Sequence, residues 1–487
     1  MGLSALYYLY SRTNTAGQAF GAGFFFAIGY FTTGLWWIGN ALLVEGNEFA
    51  WVWPISVIGL PTLLALFTGT YLGCARIFSS PKTLRGFFLF CFFLLMSEWT
   101  RGHAFTGFPW NLYGYVWADH LPMAQMSYYI GAHGLTLVSI LWASLAGFLI
   151  AARKPLRFNM VAVALVAFTM TVAYAGGQVR LANNPTKLDT SNGLVVVQPN
   201  IPQDMKWDPV AAQENFYKLM RLSQDAKFSS PRPKNVFVIW PETAISPSIY
   251  LVDENMDMIR NALESYKDYD SYVIGGVLRR LIVQDDVRYA NSVVFLNKEM
   301  VAIQAYDKYH LVPFGEFIPF QNWIPLKPVA AFKGFERGKG AMTVERSGIP
   351  AFSPLICYEV IFPDQVTRHD GTPPKWIVNV TNDGWYGDSA GPYQHFAQTR
   401  LRAIEEGLPV VRAANTGISG VIDPLGRVLE RADIFQEAAI VTYLPEPFAG
   451  ARKYSLWLLQ AFYPVITLIL FCAYFPATKK RTSYSLE

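Results

Sequence analysis

Over the first third of the chain, long apolar runs without a charge alternate with short basic loops. Beyond residue 180 the pattern becomes short apolar runs separated by amphipathic stretches. No Asp, Glu, Lys or Arg interrupts residues 13–44, 49–75, 120–152 or 158–178, nor residues 454–478 near the end. Each run holds the ~20 apolar residues a helix needs to cross a bilayer. A sixth run, GFFLFCFFLLMS at 86–97, is shorter and bounded by Arg85 and Glu98, so it crosses only with its flanks at the interfaces. The opening MGLSALYYLY is apolar but too short to span, which fits either the tail of a span or a short interfacial segment.

Charge decides in favour of six crossings. Counted so, Arg12, then Arg76, Lys82 and Arg85, then Arg153, Lys154 and Arg157, then Lys479, Lys480 and Arg481 share one side, while the short opposite loops hold only Arg101. Basic loops face the cytoplasm, so both ends are expected there and the long segment between Arg180 and Lys453 is expected outside. The organisation expected is a helical membrane domain at 1–178, an α/β domain at 179–453, a last span at 454–478 and a cytoplasmic tail at 479–487. Composition agrees, since 487 residues with 52% hydrophobic and 16% charged content are too apolar for a soluble protein. The net charge of +4 lies largely in those loops and gives no reason to invoke nucleic acid.

Beyond residue 180, strands are expected at 194–198, 236–240, 272–277, 292–296, 354–358, 377–380, 410–413, 420–422 and 439–443. Helices are expected at 211–226, 254–266 and 392–406. Continuous β-branched runs with helices between them predict sheets covered on at least one face.

Four cysteines without paired spacing give neither a zinc motif nor a disulfide framework. Cys74, Cys91 and Cys472 lie in apolar runs, leaving Cys357, in LICYEVIFPDQ, alone in the α/β domain. The default reading of a lone cysteine is core filler. At the end of a strand it is also placed for chemistry, and a thiol of ordinary pKa then needs a base or a cation beside it. VIWPETAIS offers Glu242 after a strand, either as a proton acceptor or as a charge at a helix start. YDKYHLVPFGEFIPF offers Lys308, which stabilises a developing oxyanion or is an ordinary solvated lysine, and Glu316 between apolar neighbours. VTNDGWYGDSAGPYQHF forms a loop in which Trp385 and Tyr386 make a wall or lid over a cleft, followed by a helix whose His395 is either structural or half of a Cys-His dyad. The loop EWTRGHAFTGFPWNLYGYVWADH fits an aromatic belt or a lipid-access loop with Arg101 available to a phosphate.

Together WPE, DKYHLVPFGE and ICYE resemble the nitrilase superfamily, in which Glu, Lys and Cys follow one another in that order, each after a strand. With spans on both sides, the chain resembles the apolipoprotein N-acyltransferase family of the bacterial inner membrane. The resemblance implies a four-layer αββα nitrilase-like domain on the periplasmic side, joined to a multi-span membrane domain. It implies Glu242 as general base, Lys308 as stabiliser of the tetrahedral intermediate and Cys357 as nucleophile. Glu316, Tyr358 and Glu359 match supporting positions; Trp207, in DMKWD, matches a lid tryptophan; Arg101 and Trp110 match membrane-proximal positions. The implied partners are a phospholipid acyl donor, a diacylated apolipoprotein acceptor and the membrane, with no cofactor, no metal and a monomeric chain. The family has seven spans before its catalytic domain where five are counted here, so the missing pair would lie before residue 11. The rival readings are a membrane-tethered amidase and a catalytically silent binding scaffold.

Overall fold

The computed structural model describes residues 1–448 apart from 45–49, 207, 209, 225, 229, 246–251, 284–285, 320–333 and 369. The expected span at 454–478 and the tail at 479–487 lie outside the described residues, as does Trp207.

The apolar runs form helices α1 (Gly2–Ser11), α2 (Ala16–Leu35), α3 (Trp53–Phe78), α4 (Leu84–His103), α5 (Met126–Ala152) and α6 (Leu156–Asn183). Among the described residues four stretches, Ala16–Leu42, Ala50–Phe78, Met126–Ala152 and Leu156–Asn183, are long and apolar enough to cross a membrane. The short run at 86–97 lies within α4, whose 20 residues rise about 30 Å. Charge ended that run in the sequence, but the helix continues because Glu98 and Arg101 neutralise one another inside the bundle, 2.7 Å apart and each about 1% exposed. The opening segment is the helix α1, packed into the bundle through Leu6, Tyr7 and Tyr10, with the Tyr7 hydroxyl donating to Pro81 O at 2.5 Å.

Two sheets follow. The first has the order β11-β1-β2-β3-β4-β5, built from β1 (Leu188–Gln198), β2 (Asn235–Ile239), β3 (Asp270–Val283), β4 (Asp286–Asn297), β5 (Ala302–Asp307) and β11 (Ala438–Pro445). The second has the order β10-β9-β8-β7-β6, from β6 (Phe352–Ile356), β7 (Trp376–Thr381), β8 (Val410–Ala414), β9 (Ser419–Ile422) and β10 (Val428–Ala432). In each, three neighbouring strands pair in parallel and the remaining pairings are antiparallel. Strand alternation makes the layers. Leu194, Val196, Phe237 and Ile239 face the other sheet, where Phe237 meets Trp376 at 5.4 Å between ring centres. Val195, Val197, Val236 and Val238 face α7 (Ala212–Ser223) and α8 (Asp253–Glu264). On the other side α9 (Ala390–Glu406) covers the second sheet with Phe396 and Ala403 and turns Leu401 and Ile404 toward Ala118, Ala124 and Leu135 of the membrane domain.

That outer helix is the dock between domains. In α5, Gly131 leaves helical geometry (φ 66°), and the next N–H, that of Ala132, donates to Glu405 Oε1 of α9 at 2.7 Å. Further along, the Gln394 side chain accepts from the indole N–H groups of Trp110 (2.8 Å) and Trp37 (3.2 Å) and donates to Gly34 O at 3.1 Å.

Candidate active site

Cys357 follows β6 directly and opens a tight turn, Cys357–Ile361. Its φ of +52° lies in the left-handed region, which costs a non-glycine residue about 1–3 kcal/mol and holds the side chain off the strand's own line. Glu242 sits at the exit of β2 in a comparable turn, next to Thr243 with φ +46°. Gly276 of β3 makes room for that turn, since a Cβ there would fall 2.6 Å from Glu242 Cα. Lys308 follows β5, with its N–H bonded to Asn291 O on β4 at 2.9 Å.

The three converge. Lys308 Nζ donates to Glu316 Oε1 at 2.8 Å and approaches Glu242 Oε1 at 3.5 Å, and all three side chains are buried. Asn291 Nδ2 bridges the same two carboxylates at 2.7 and 3.1 Å. Glu316 Oε2 accepts the Val312 N–H at 2.8 Å, fixing the loop beyond Lys308. Burial alone would lower the Lys308 pKa, but Glu316, Glu242 and Cys357 hold it well above the ordinary lysine value. Burial and then the Glu242 carboxylate push the Cys357 thiol up to about 12, opposed by Lys308. Resting Cys357 is therefore a neutral thiol beside a carboxylate and a permanent cation.

Glu359 locks the turn that begins at Cys357 to the lysine loop. Its Oε1 accepts from Tyr306 Oη (2.7 Å), Tyr309 N (2.8 Å) and His310 N (3.1 Å), and its Oε2 accepts from Ile356 N at 2.8 Å. The Tyr358 ring lies 5.9 Å from Lys308 Nζ. Asn379 Nδ2 donates to Cys357 O at 3.2 Å.

Other expectations are corrected. Arg101 is not open to a phosphate. Of its five N–H donors, four are engaged with Glu98, Phe108 O (2.6 Å) and Trp110 O (2.8 Å), so it holds the GFPW loop. Trp110 is no belt residue either. It is 1% exposed and packs 5.0 Å from Trp37, 5.9 Å from Tyr386 and 5.3 Å from His395. In the same loop Gly107 (φ +73°) allows contact with Phe362 beyond the nucleophile, where a Cβ would stand 3.1 Å from the ring. Trp385 is half-buried in the turn Asp383–Tyr386. His395 is structural, with Nδ1 2.9 Å from Asp383 Oδ1, while Arg412 Nη2 meets Asp383 Oδ2 at 2.8 Å. Burial would raise Asp383, but Arg412 and His395 outweigh it and hold the carboxyl below its ordinary range.

Sequence reasoning missed Asn291 and Lys206, whereas it reads Tyr386 with Trp385 as a wall or lid. Lys206 Nζ donates to Glu242 O at 2.8 Å. The Tyr386 hydroxyl is held well above its ordinary value by burial and then by Cys357. Asn291 sits in the strand 286–297 and carries no local signal, while Lys206 stands beside the tryptophan that drew attention.

A Glu-Lys-Cys set at the strand ends of a two-sheet αββα sandwich defines a carbon-nitrogen hydrolase, or nitrilase-type, domain, and the family model of that description, "Carbon-nitrogen hydrolase", matches residues 195–453. A second model, "Apolipoprotein N-acyltransferase N-terminal domain", matches residues 1–145. The apolipoprotein N-acyltransferase of Rhodopseudomonas palustris is 38% identical over 445 residues, covering 88% of this chain and 80% of that protein. Those of Brucella melitensis and Rhizobium etli are 38% and 37% identical, over 87% and 93% of this chain and 79% and 85% of theirs. The chain belongs to the apolipoprotein N-acyltransferase family. It is a membrane protein and an N-acyltransferase of lipoproteins.

Proposed function

We propose that this enzyme moves the sn-1 acyl chain of a phospholipid, through a thioester on Cys357, to the α-amine of the diacylglyceryl cysteine that begins an apolipoprotein. Glu242 takes the thiol proton, and the thiolate attacks the ester carbonyl. Lys308 faces the resulting oxyanion, and one such donor lowers the barrier by about 3–4 kcal/mol. Collapse breaks the ester C–O bond, Glu242 returns its proton to the leaving alkoxide, and lysophospholipid departs. In the second half the amine attacks the thioester, Glu242 accepts its proton, the C–S bond breaks to leave an amide, and Glu242 returns the proton to the departing Cys357 thiolate. Trp207 and Trp385 serve as lids, Trp110 as part of the wall, and Glu316, Tyr358 and Glu359 support the set. The membrane domain at 1–178 and the last span at 454–478 anchor a monomer in the inner membrane, with the catalytic domain at 179–453 on the periplasmic side.

The observation that supports this best is the buried meeting of Glu242 and Lys308, both of which act on the neutral thiol of Cys357. Incubation with phospholipid carrying a labelled acyl chain, followed by mass spectrometry, should find the label on Cys357 and lose it in Cys357→Ala. A wild-type protein that never carries the label, yet acylates lipoprotein, would sink the proposal.

A further inference from the structure

We propose that Lys206 is a second cation of this site, a positioning residue that acts through Glu242 on the charge exchanged with Cys357. The inference rests on the roles just proposed for Glu242, Lys308 and Cys357.

Lys206 ends a turn between β1 and α7, and its side chain folds inward until the residue is 8% exposed and Nζ meets Glu242 O at 2.8 Å. The turn is tied across the sandwich. Gln203 Oε1 accepts from Asn382 Nδ2 at 2.6 Å, and Met205 O accepts from Asn215 Nδ2 of α7 at 3.1 Å. The ammonium is thus carried to the crevice from a side that neither Lys308 nor the nucleophile turn supplies. A cavity of about 20 Å³ lined by Lys206, Ile201, Thr243 and Asn415 lies alongside, with room for about one water.

A backbone carbonyl needs only a neutral donor, and burying an ammonium to serve it is expensive. The charge has a use of its own, because the site carries a negative charge on Glu242, then on sulfur, then on the oxyanion, while Lys308 is already shared between two carboxylates. Two titratable groups act directly on Lys206, namely Glu242 and Cys357. Lys308 and Glu316 stand on the far side of Glu242, Asp383 and Tyr386 act on Cys357, and α7 brings the uncharged Asn215. Burial brings Lys206 down to about 8, with Glu242 and Cys357 opposing. Lys308 and Tyr386 are held well above their ordinary values. An alkaline limb near pH 8 therefore belongs to Lys206, which is charged below it and neutral above.

The test is the rate of thioester formation on Cys357 of the full chain, from about pH 6 to 10, with vesicles of phosphatidylethanolamine and phosphatidylglycerol carrying labelled acyl chains. This half-reaction excludes the acceptor amine, whose own titration would overlap. Wild type should lose rate through a limb near pH 8. Lys206→Arg, which keeps its charge, should stay active with no limb. Lys206→Met should be roughly tenfold slower at neutral pH, the worth of one pKa unit in the proton exchange, and should converge on wild type at the alkaline end. A limb that persists in Lys206→Arg, or a wild-type rate in Lys206→Met, overturns the proposal. Should Lys206→Met fail to fold, Lys206→Arg alone still decides. Cys357→Ala separates the two failures: if it abolishes the adduct while the Lys206 variants behave as wild type, only Lys206 loses its role. A label that persists in Cys357→Ala instead brings down the underlying reading.

Discussion

Replacing Glu359 by Gln removes one acceptor and one charge from the point where the nucleophile turn meets the lysine loop. The carboxylate receives four hydrogen bonds, three on Oε1 and one on Oε2. An amide whose oxygen keeps the first three must turn its NH₂ toward the Ile356 N–H, setting donor against donor. A bond to a charged acceptor is worth ~1.5–3 kcal/mol, and a neutral acceptor gives roughly half of that. One bond lost and three weakened, set against the relief of burying a charge, leaves a destabilisation of roughly 2–4 kcal/mol. For a domain of this size that lowers Tm by roughly 5–10 °C, measured by tryptophan fluorescence in detergent.

The chemical effect should be larger than the loss of stability. Tyr309 and His310 adjoin Lys308, and Ile356 adjoins Cys357, so slack at Glu359 moves the cation and the nucleophile independently. A displacement of ~1 Å costs on the order of a hundredfold in rate, and thioester formation should fall by about that much. Tyr306→Phe removes one donor of the four and should cost far less; its effect should not add to that of Glu359→Gln, because the bonds share one acceptor. Glu359→Gln with wild-type Tm and wild-type thioester rate would refute the idea that this carboxylate ties the two loops.

Three other changes probe separate parts of the structure. Arg101→Gln breaks a buried pair and frees two carbonyls, so it should cost about 3–5 kcal/mol without altering headgroup preference; altered selectivity with unchanged Tm would restore a phosphate role. Glu242→Gln removes a charge that holds the thiol up, so iodoacetamide should label Cys357 faster near pH 9 while thioester formation collapses, and parallel movement of the two readouts would contradict the assignment. Asp383 is depressed by Arg412 and His395, so its stabilisation is present above the unfolded value of about 3.9 and is lost as pH falls below it. Asp383→Asn should therefore be less stable at neutral pH and less sensitive to acid, as thermal unfolding from about pH 6 down to about pH 2 would show.

Short apolar runs located nine of the eleven strands found among the described residues, because buried strands of β-branched residues leave a continuous mark. The two it passed over, β5 and β10, are sheet edges whose sequences AIQAYD and VLERA are partly polar; an edge strand has less to bury and keeps charge. Glu242, Lys308 and Cys357 were each ambiguous alone and stood out as a set only through the resemblance carried by WPE, DKYHLVPFGE and ICYE; the structure brings Glu242 and Lys308 to 3.5 Å. Arg101 was misread because a basic residue in an aromatic loop looks like a headgroup contact until Glu98, three residues back on the same helix, is seen to neutralise it. Trp110 and Gln394 are 284 residues apart, and their bond follows only from how α9 meets the membrane domain.

Charge balance explains why so polar a set can sit in so dry a place. Buried ions are tolerated when their charges cancel and their hydrogen bonds are filled. With both carboxylates ionised, Glu242 and Glu316 stand against Lys308 and Lys206, and the neutral thiol of Cys357 adds nothing. Moving the thiol proton to Glu242 leaves the sum unchanged. So does attack on a neutral ester, which shifts the charge from sulfur to oxygen, and so does collapse to a thioester once the leaving alkoxide is reprotonated. On the proposed route the net charge of these five groups and the bound ester therefore stays constant from step to step, which limits the cost of moving charge within a buried site. The same arithmetic accounts for a second lysine. With Lys308 alone the resting site would hold two negative charges and one positive, and the first proton transfer would have to create a thiolate where negative charge was already in excess.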